Sequence, residues 1–213
     1  MLSKKNFPIF NTHPSLIYLD GAATSQIPVE VIEAVDNWYT DLHANVHRGL
    51  YSLSISATDR YERARHSIAS QVKIKASECI FVRNTTEGMN CIADSLKNRI
   101  KPSHSLVISE LEHHSTLLPW RKIANETGTQ LKIIPVRNGR ISISEAKKII
   151  DTTTSVVIVS HVSNVFGTVQ PIREIATLTH RAGAHLIVDG AQAVAHMKVA
   201  PWTLGADAYV FSG

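Results

Sequence analysis

The sequence lacks any apolar run long enough to span a membrane. Its longest, such as 156–159, are strand-length, whereas a span needs ~20 residues. Residues 1–8, Met-Leu-Ser-Lys-Lys-Asn-Phe-Pro, lack the apolar core of a secretory signal, so a cytoplasmic protein is expected. Cysteine is scarce. Cys79 and Cys91 are the only two, too few for a disulfide framework and without C-x-x-C spacing, and both read as small buried apolar residues. Aromatics make up 6%, and no run of Lys or Arg exceeds two. The net charge of +4 therefore describes a scattered basic surface rather than a nucleic-acid-tracking one. Neither Gly-x-x-x-x-Gly-Lys nor Gly-x-Gly-x-x-Gly occurs, so a P-loop and a Rossmann fingerprint are unsupported. What is present is a globular composition, 44% hydrophobic and 19% charged over 213 residues. That excludes a disordered chain and suffices for a core without metal or disulfides.

No repeat or linker divides the chain. A strand is expected at 16–19, a helix at 28–42 with Val31, Val35, Trp38, Tyr39 and Leu42 on one face, and a helix at 57–72 with Tyr61, Ala64, Ile68 and Val72 facing inward. Alternation then becomes regular. Strands are expected at 79–82, 105–109, 131–136, 156–160, 185–188 and 208–211, and helices at 85–98, 116–127, 144–151 and 172–182. Continuous apolar strands alternating with amphipathic helices imply an α/β fold, a largely parallel sheet flanked by helices. Ligands in such sheets bind beyond the carboxyl ends of the strands.

The residues at those ends admit more than one role each. Asn84 followed by Glu87 has the form of an N-cap with a capping box. The helix start, with the Thr85 and Thr86 hydroxyls, suits a phosphate but is equally a plain capped helix. His113 and His114 are adjacent and point in different directions. A zinc site joining His113 to His161 or His185 is disfavoured, and a flat ring there could stack on a flat ligand. Asn164 and Gly167 could simply shape a turn. Asp189, directly after an apolar strand, needs either a cation or a capping role.

Together these stretches resemble the class V aminotransferase family of pyridoxal-phosphate (PLP) enzymes, in particular SUF-type cysteine desulfurases and selenocysteine lyases. The matching segments are 18–24 (Tyr-Leu-Asp-Gly-Ala-Ala-Thr), 44–49 (Ala-Asn-Val-His-Arg-Gly), 85–87, 112–115 (Glu-His-His-Ser), 161–168 (His-Val-Ser-Asn-Val-Phe-Gly-Thr), 188–194 (Val-Asp-Gly-Ala-Gln-Ala-Val) and 209–213 (Tyr-Val-Phe-Ser-Gly). They occur in the family's order, and the resemblance covers the N-terminal half of a family member.

The resemblance implies fold type I, with 1–20 an N-terminal arm and 21–213 the first part of the PLP-binding large domain. It implies that Thr85, Thr86 and Ser212 hold the phosphate, that His113 stacks on the pyridine ring as the catalytic histidine, and that Asp189 pairs with the ring nitrogen. Gln192 would bond the phenolic oxygen and Asn164 the substrate carboxylate, with His47, Arg48 and Ala23 near the substrate. No metal is expected. The implied activity converts L-cysteine (or selenocysteine) to alanine and passes sulfur through a persulfide to an acceptor protein for iron–sulfur cluster assembly, in a homodimer without nucleic-acid or membrane partners. The chain departs from the family at Gly21, where Asn is usual. It also stops at Gly213, before the His-Lys that supplies the Schiff-base lysine and before the persulfide cysteine. A fragment inactive by itself is therefore the expectation. The rivals are another class V reaction (selenocysteine lysis, transamination, epimerisation) and a non-catalytic remnant that binds phosphates or a partner chain.

Overall fold

A computed structural model describes residues 3–212. The chain divides into two compact units, 1–67 and 68–213. The first is helical. It contains α1 (Ile9–Thr12), α2 (Val29–Asn37), which continues into a π-turn at Trp38–Leu42, and most of α3 (Ser52–Gln71). Pro28 directly precedes α2, where a missing N–H costs nothing. The apolar stripe expected on this helix exists but is uncovered, with Val31, Val35 and Tyr39 all exposed. Segment 16–19 forms no strand; Ile17 and Leu19 are exposed, and no ladder hydrogen bond fixes them. α3 begins five residues earlier than expected, and Ala64 on it faces solvent.

The second unit is organised by a five-stranded sheet. After α4 (Thr85–Lys97) come β1 (Ser105–Ser109), α5 (His114–Thr127), β2 (Gln130–Ile134), β3 (Val136–Arg137), β4 (Arg140–Ile141), α6 (Ile143–Ile149), β5 (Thr154–Ser160), α7 (Ile172–Arg181), β6 (His185–Asp189), α8 (Pro201–Leu204) and β7 (Ala208–Val210). The sheet order is β2-β1-β5-β6-β7, and every pairing in it is parallel.

Alternate residues of the same strands feed two cores. Val107, Val157, Val159, Leu186 and Val188 pack with Ala146 of α6 and with Ile172, Ile175 and Ala176 of α7. Leu106, Ile108, Val156, Ile158, Ile187 and Val210 pack on the other face with Met89 and Ala93 of α4 and with Trp120, Ile123 and Ala124 of α5. Both faces are therefore covered, which is why the strands read as unbroken apolar runs.

Three expectations fail for local reasons. Segment 79–82 is not in a ladder, and Ile80 is exposed; it lines a cavity instead of pairing with the sheet. The run 131–136 breaks at Pro135, which has no N–H to donate, and Val136 instead starts a hairpin with Ile141. Its turn is Asn138-Gly139, both at positive φ (51° and 71°), an Asn-Gly hairpin signal that had gone unread. Cys91 is exposed and Cys79 partly so. Both line an apolar cavity of ≈ 490 Å³ between α4, segment 79–84 and β7, so neither is the buried apolar residue expected.

Trp120 is completely buried in the second core. Trp120→Ala should cost about 3–5 kcal/mol, read as a lowered midpoint in urea unfolding of the chain.

Candidate functional site

All five parallel strands end at one edge, and the topology reverses there. From β1 the chain moves to β2 on one side and later returns to β5 on the other. The crevice at such a switch point, outside the carboxyl ends, is where open α/β sheets take ligands. The residues at this edge are Ser109, Ser160 and Asp189, the last residues of β1, β5 and β6, with Phe211 and Ser212 just beyond β7.

Asp189 is buried at 5% exposure. Its Oδ2 accepts a hydrogen bond from the Thr116 hydroxyl at 2.6 Å, and its Oδ1 accepts one from the Ala191 N–H at 3.0 Å. A carboxylate offers about four lone-pair positions, so two donors satisfy it only in part and leave it able to receive a cationic N–H. Thr116 lies in the first turn of α5, whose N-cap is His113. The His113 Nδ1 accepts from the Ser115 N–H at 3.2 Å and meets the Ser115 hydroxyl at 2.8 Å. In a neutral ring that bond leaves the proton on Nε2. The ring is exposed, and its plane is tilted 55° from that of His114, with centroids 6.0 Å apart.

On the far side of β6, α4 begins at Thr85. Asn84 caps it by accepting from the Glu87 N–H at 2.9 Å. The reciprocal half of the expected capping box moves by one residue, because the Glu87 carboxylate takes the Arg83 N–H and the Arg83 guanidinium instead. The Thr85 hydroxyl lies 3.1 Å from the Ser212 hydroxyl, so residues 127 positions apart meet at one helix start. Thr85 is buried and Thr86 exposed. The Thr85 N–H points to the Ser212 hydroxyl at 3.4 Å, and these groups with the positive end of α4 make this a favourable place for a phosphate.

The loop after β5 turns tightly. Ser163 Oγ accepts from the Val165 and Phe166 N–H groups, each at 3.2 Å, Gly167 sits at φ 65°, and Asn164 is exposed in that turn. Gln192 is half-buried in the turn that follows β6. Gly190 is required there, since a Cβ would fall 2.0 Å from the Tyr209 ring. Ala23, His47 and Arg48 lie in the first unit. His47 adopts φ 71° and is held by the Glu62 carboxylate at 2.8 Å and by the Thr58 hydroxyl. Among the described residues no group of three His, Cys, Asp or Glu could hold a metal, and none of the helices is long and apolar enough to cross a membrane.

The sequence had signalled Asp189 but not what holds it. Thr116, one residue past segment 112–115, carries no such signal. Neither does the His161–Tyr209 pair, joined at 2.7 Å, in which burial lowers the His161 pKa and raises that of Tyr209, with the Asp189 charge adding to the latter. Thr116→Val should lower stability by about 1–3 kcal/mol by taking a donor from a buried carboxylate. Thr116→Ser should recover most of that loss; thermal melts of the two variants check this.

The aminotransferase class V family profile matches residues 17–213. A probable cysteine desulfurase from Halalkalibacterium halodurans is 43% identical over 99% of this chain and 53% of its own length. Among solved structures, the apo cysteine desulfurase of Thermococcus onnurineus superposes with a TM-score of 0.90 at 37% identity, over 98% of this chain and 52% of that one. A cysteine desulfurase from Escherichia coli gives 0.87 at 30%, over 98% and 53%. The chain thus spans about half the length of the relatives it matches. With a parallel sheet carrying these residues at its carboxyl edge, the chain belongs to the aminotransferase class V family.

Proposed function

We propose that this chain is the cofactor-cradling N-terminal part of a PLP-dependent cysteine desulfurase, which converts cysteine to alanine and passes the sulfur on as a persulfide. The observation that carries it is the buried Asp189 carboxylate, held by Thr116 and the Ala191 amide with acceptor capacity to spare. A protonated ring nitrogen is the cation that would complete it. The start of α4, with Thr85, Thr86 and Ser212, would take the phosphate, and the His113 ring would stack on the pyridine. Gln192 would bond the ring oxygen and Asn164 the substrate carboxylate. Ala23, His47 and Arg48 enter on the resemblance alone and would border the substrate. PLP bound there supplies an electron sink for the substrate carbon.

The chain's own residues would bind and orient the cofactor and keep water from Asp189. The strand-end loops 83–88, 110–116, 161–168 and 189–194 contain no lysine. The amine that anchors PLP covalently and the thiol that takes the sulfur would come from the remaining length seen in the relatives. The sulfur acceptor and a two-fold dimer belong to that longer protein, with the cytoplasm as its proposed compartment.

Titrating PLP into the purified chain should quench its tryptophan fluorescence saturably. Asp189→Asn should weaken that binding roughly tenfold, the scale of one charged hydrogen bond. The 213-residue chain should form no alanine from cysteine, whereas a chain extended to the relatives' full length should. An extended chain that binds no PLP would overturn the proposal.

A further inference from the structure

Glu112 has no part in the cofactor contacts proposed above, yet it occupies the switch point itself. Its Oε1 accepts the hydroxyl of Ser109, the last residue of β1, and the N–H of Ser160, the last residue of β5, at 2.9 Å. Its Oε2 lies 2.6 Å from the Ser160 hydroxyl. One side chain therefore bridges the two strands between which the topology reverses, and it does so from the residue directly before His113. Although part of residue 112 is solvent-exposed, its carboxyl is enclosed by protein.

We propose that Glu112 is a positioning residue that clamps β1 to β5 and thereby fixes the connection to His113. The hydrogen bonds can also accommodate a protonated carboxyl. The Ser109 hydroxyl accepts the Leu111 N–H at 3.2 Å and so gives its own proton to Oε1. At Oε2 the Ser160 hydroxyl donates to the carboxylate; a hydroxyl can turn to accept, so a carboxyl proton would sit there. Burial, with the Asp189 charge adding, pushes the Glu112 pKa up to about 7 against the pull of the Ser109 and Ser160 donors. Asp189 on β6 is the charged group acting on it. β1 and β5 face it with serine hydroxyls, His113 adjoins it at the start of α5, and Glu110 is turned to the Val136 N–H.

The sign of the linkage follows. A carboxyl whose folded pKa lies above its unfolded value near 4.5 stabilises the fold fully below pH 4.5. That contribution is lost as pH rises towards and through about 7.

This inference rests on the cofactor reading only for what His113 and Asp189 are positioned to do, so its first tests need no cofactor. Between pH 5 and 8 the Tm of the chain should fall by roughly 5–10 °C more than that of Glu112→Gln. Glutamine reproduces the neutral pattern, with its oxygen accepting two donors and its NH2 facing the Ser160 hydroxyl. In NMR spectra the Ser160 amide should titrate with a midpoint near 7 in the chain and stay flat in Glu112→Gln. Equal pH slopes in the two proteins, or a flat Ser160 amide in the unmodified chain, would overturn the proposal. In PLP binding at pH 6, Glu112→Gln should stay within about twofold of the unmodified chain and Glu112→Ala should lose about tenfold or more. If the unmodified chain fails to bind PLP while the pH-dependent arms behave as expected, the cofactor reading fails and the clamp stands.

Discussion

A carboxylate directly after three buried apolar residues is the constraint on which the rest of the second unit depends. β6 runs Leu186, Ile187 and Val188 between β5 and β7, all buried, and delivers Asp189 at its end with 5% exposure. An ionised group in that position is costly unless donors surround it. The fold supplies them locally, from the first turn of α5 and from the turn after β6. Because β1 leads into α5 and β5 lies between β1 and β6, placing Thr116 against Asp189 requires the parallel order of three strands to be correct.

The same edge gathers groups from distant parts of the chain. Thr85 and Ser212 meet at the start of α4, and the end of β5 is tied by Glu112 to the end of β1. His161 and Tyr209 pair beside the Gly190 turn, where the ring leaves no room for a Cβ. Each contact joins residues from different elements at this edge. The edge is therefore a network of hydrogen bonds between elements distant in sequence, above an apolar sheet.

The first unit is different in character. α2 has no buried residue, and exposed apolar residues run from Ile17 to Ile55. Its amphipathic pattern states that a face is meant to be covered. The described residues of the unit do not cover it, so the single apolar face expected at 28–42 is present as a pattern and exposed.

Periodicity was enough to determine the alternating elements of the second unit. Apolar runs at 105–109, 156–160 and 185–188 can bury both faces only in a covered parallel sheet, and the helices between them carry one apolar face each. The chemistry-bearing residues at the strand ends were legible for the same reason, since a strand's last residue fixes where the next side chain falls. Pairing was not legible. Segment 79–82 looks like any other strand, and only the presence or absence of a neighbour's N–H and C=O groups decides whether it becomes one. The partners of Asp189 and the bridge at Glu112 were equally hidden, because Thr116 lies 73 residues from Asp189 and Ser160 lies 48 residues from Glu112. Local sequence sets which side chains point out of a strand end; the strand order alone sets which of them meet.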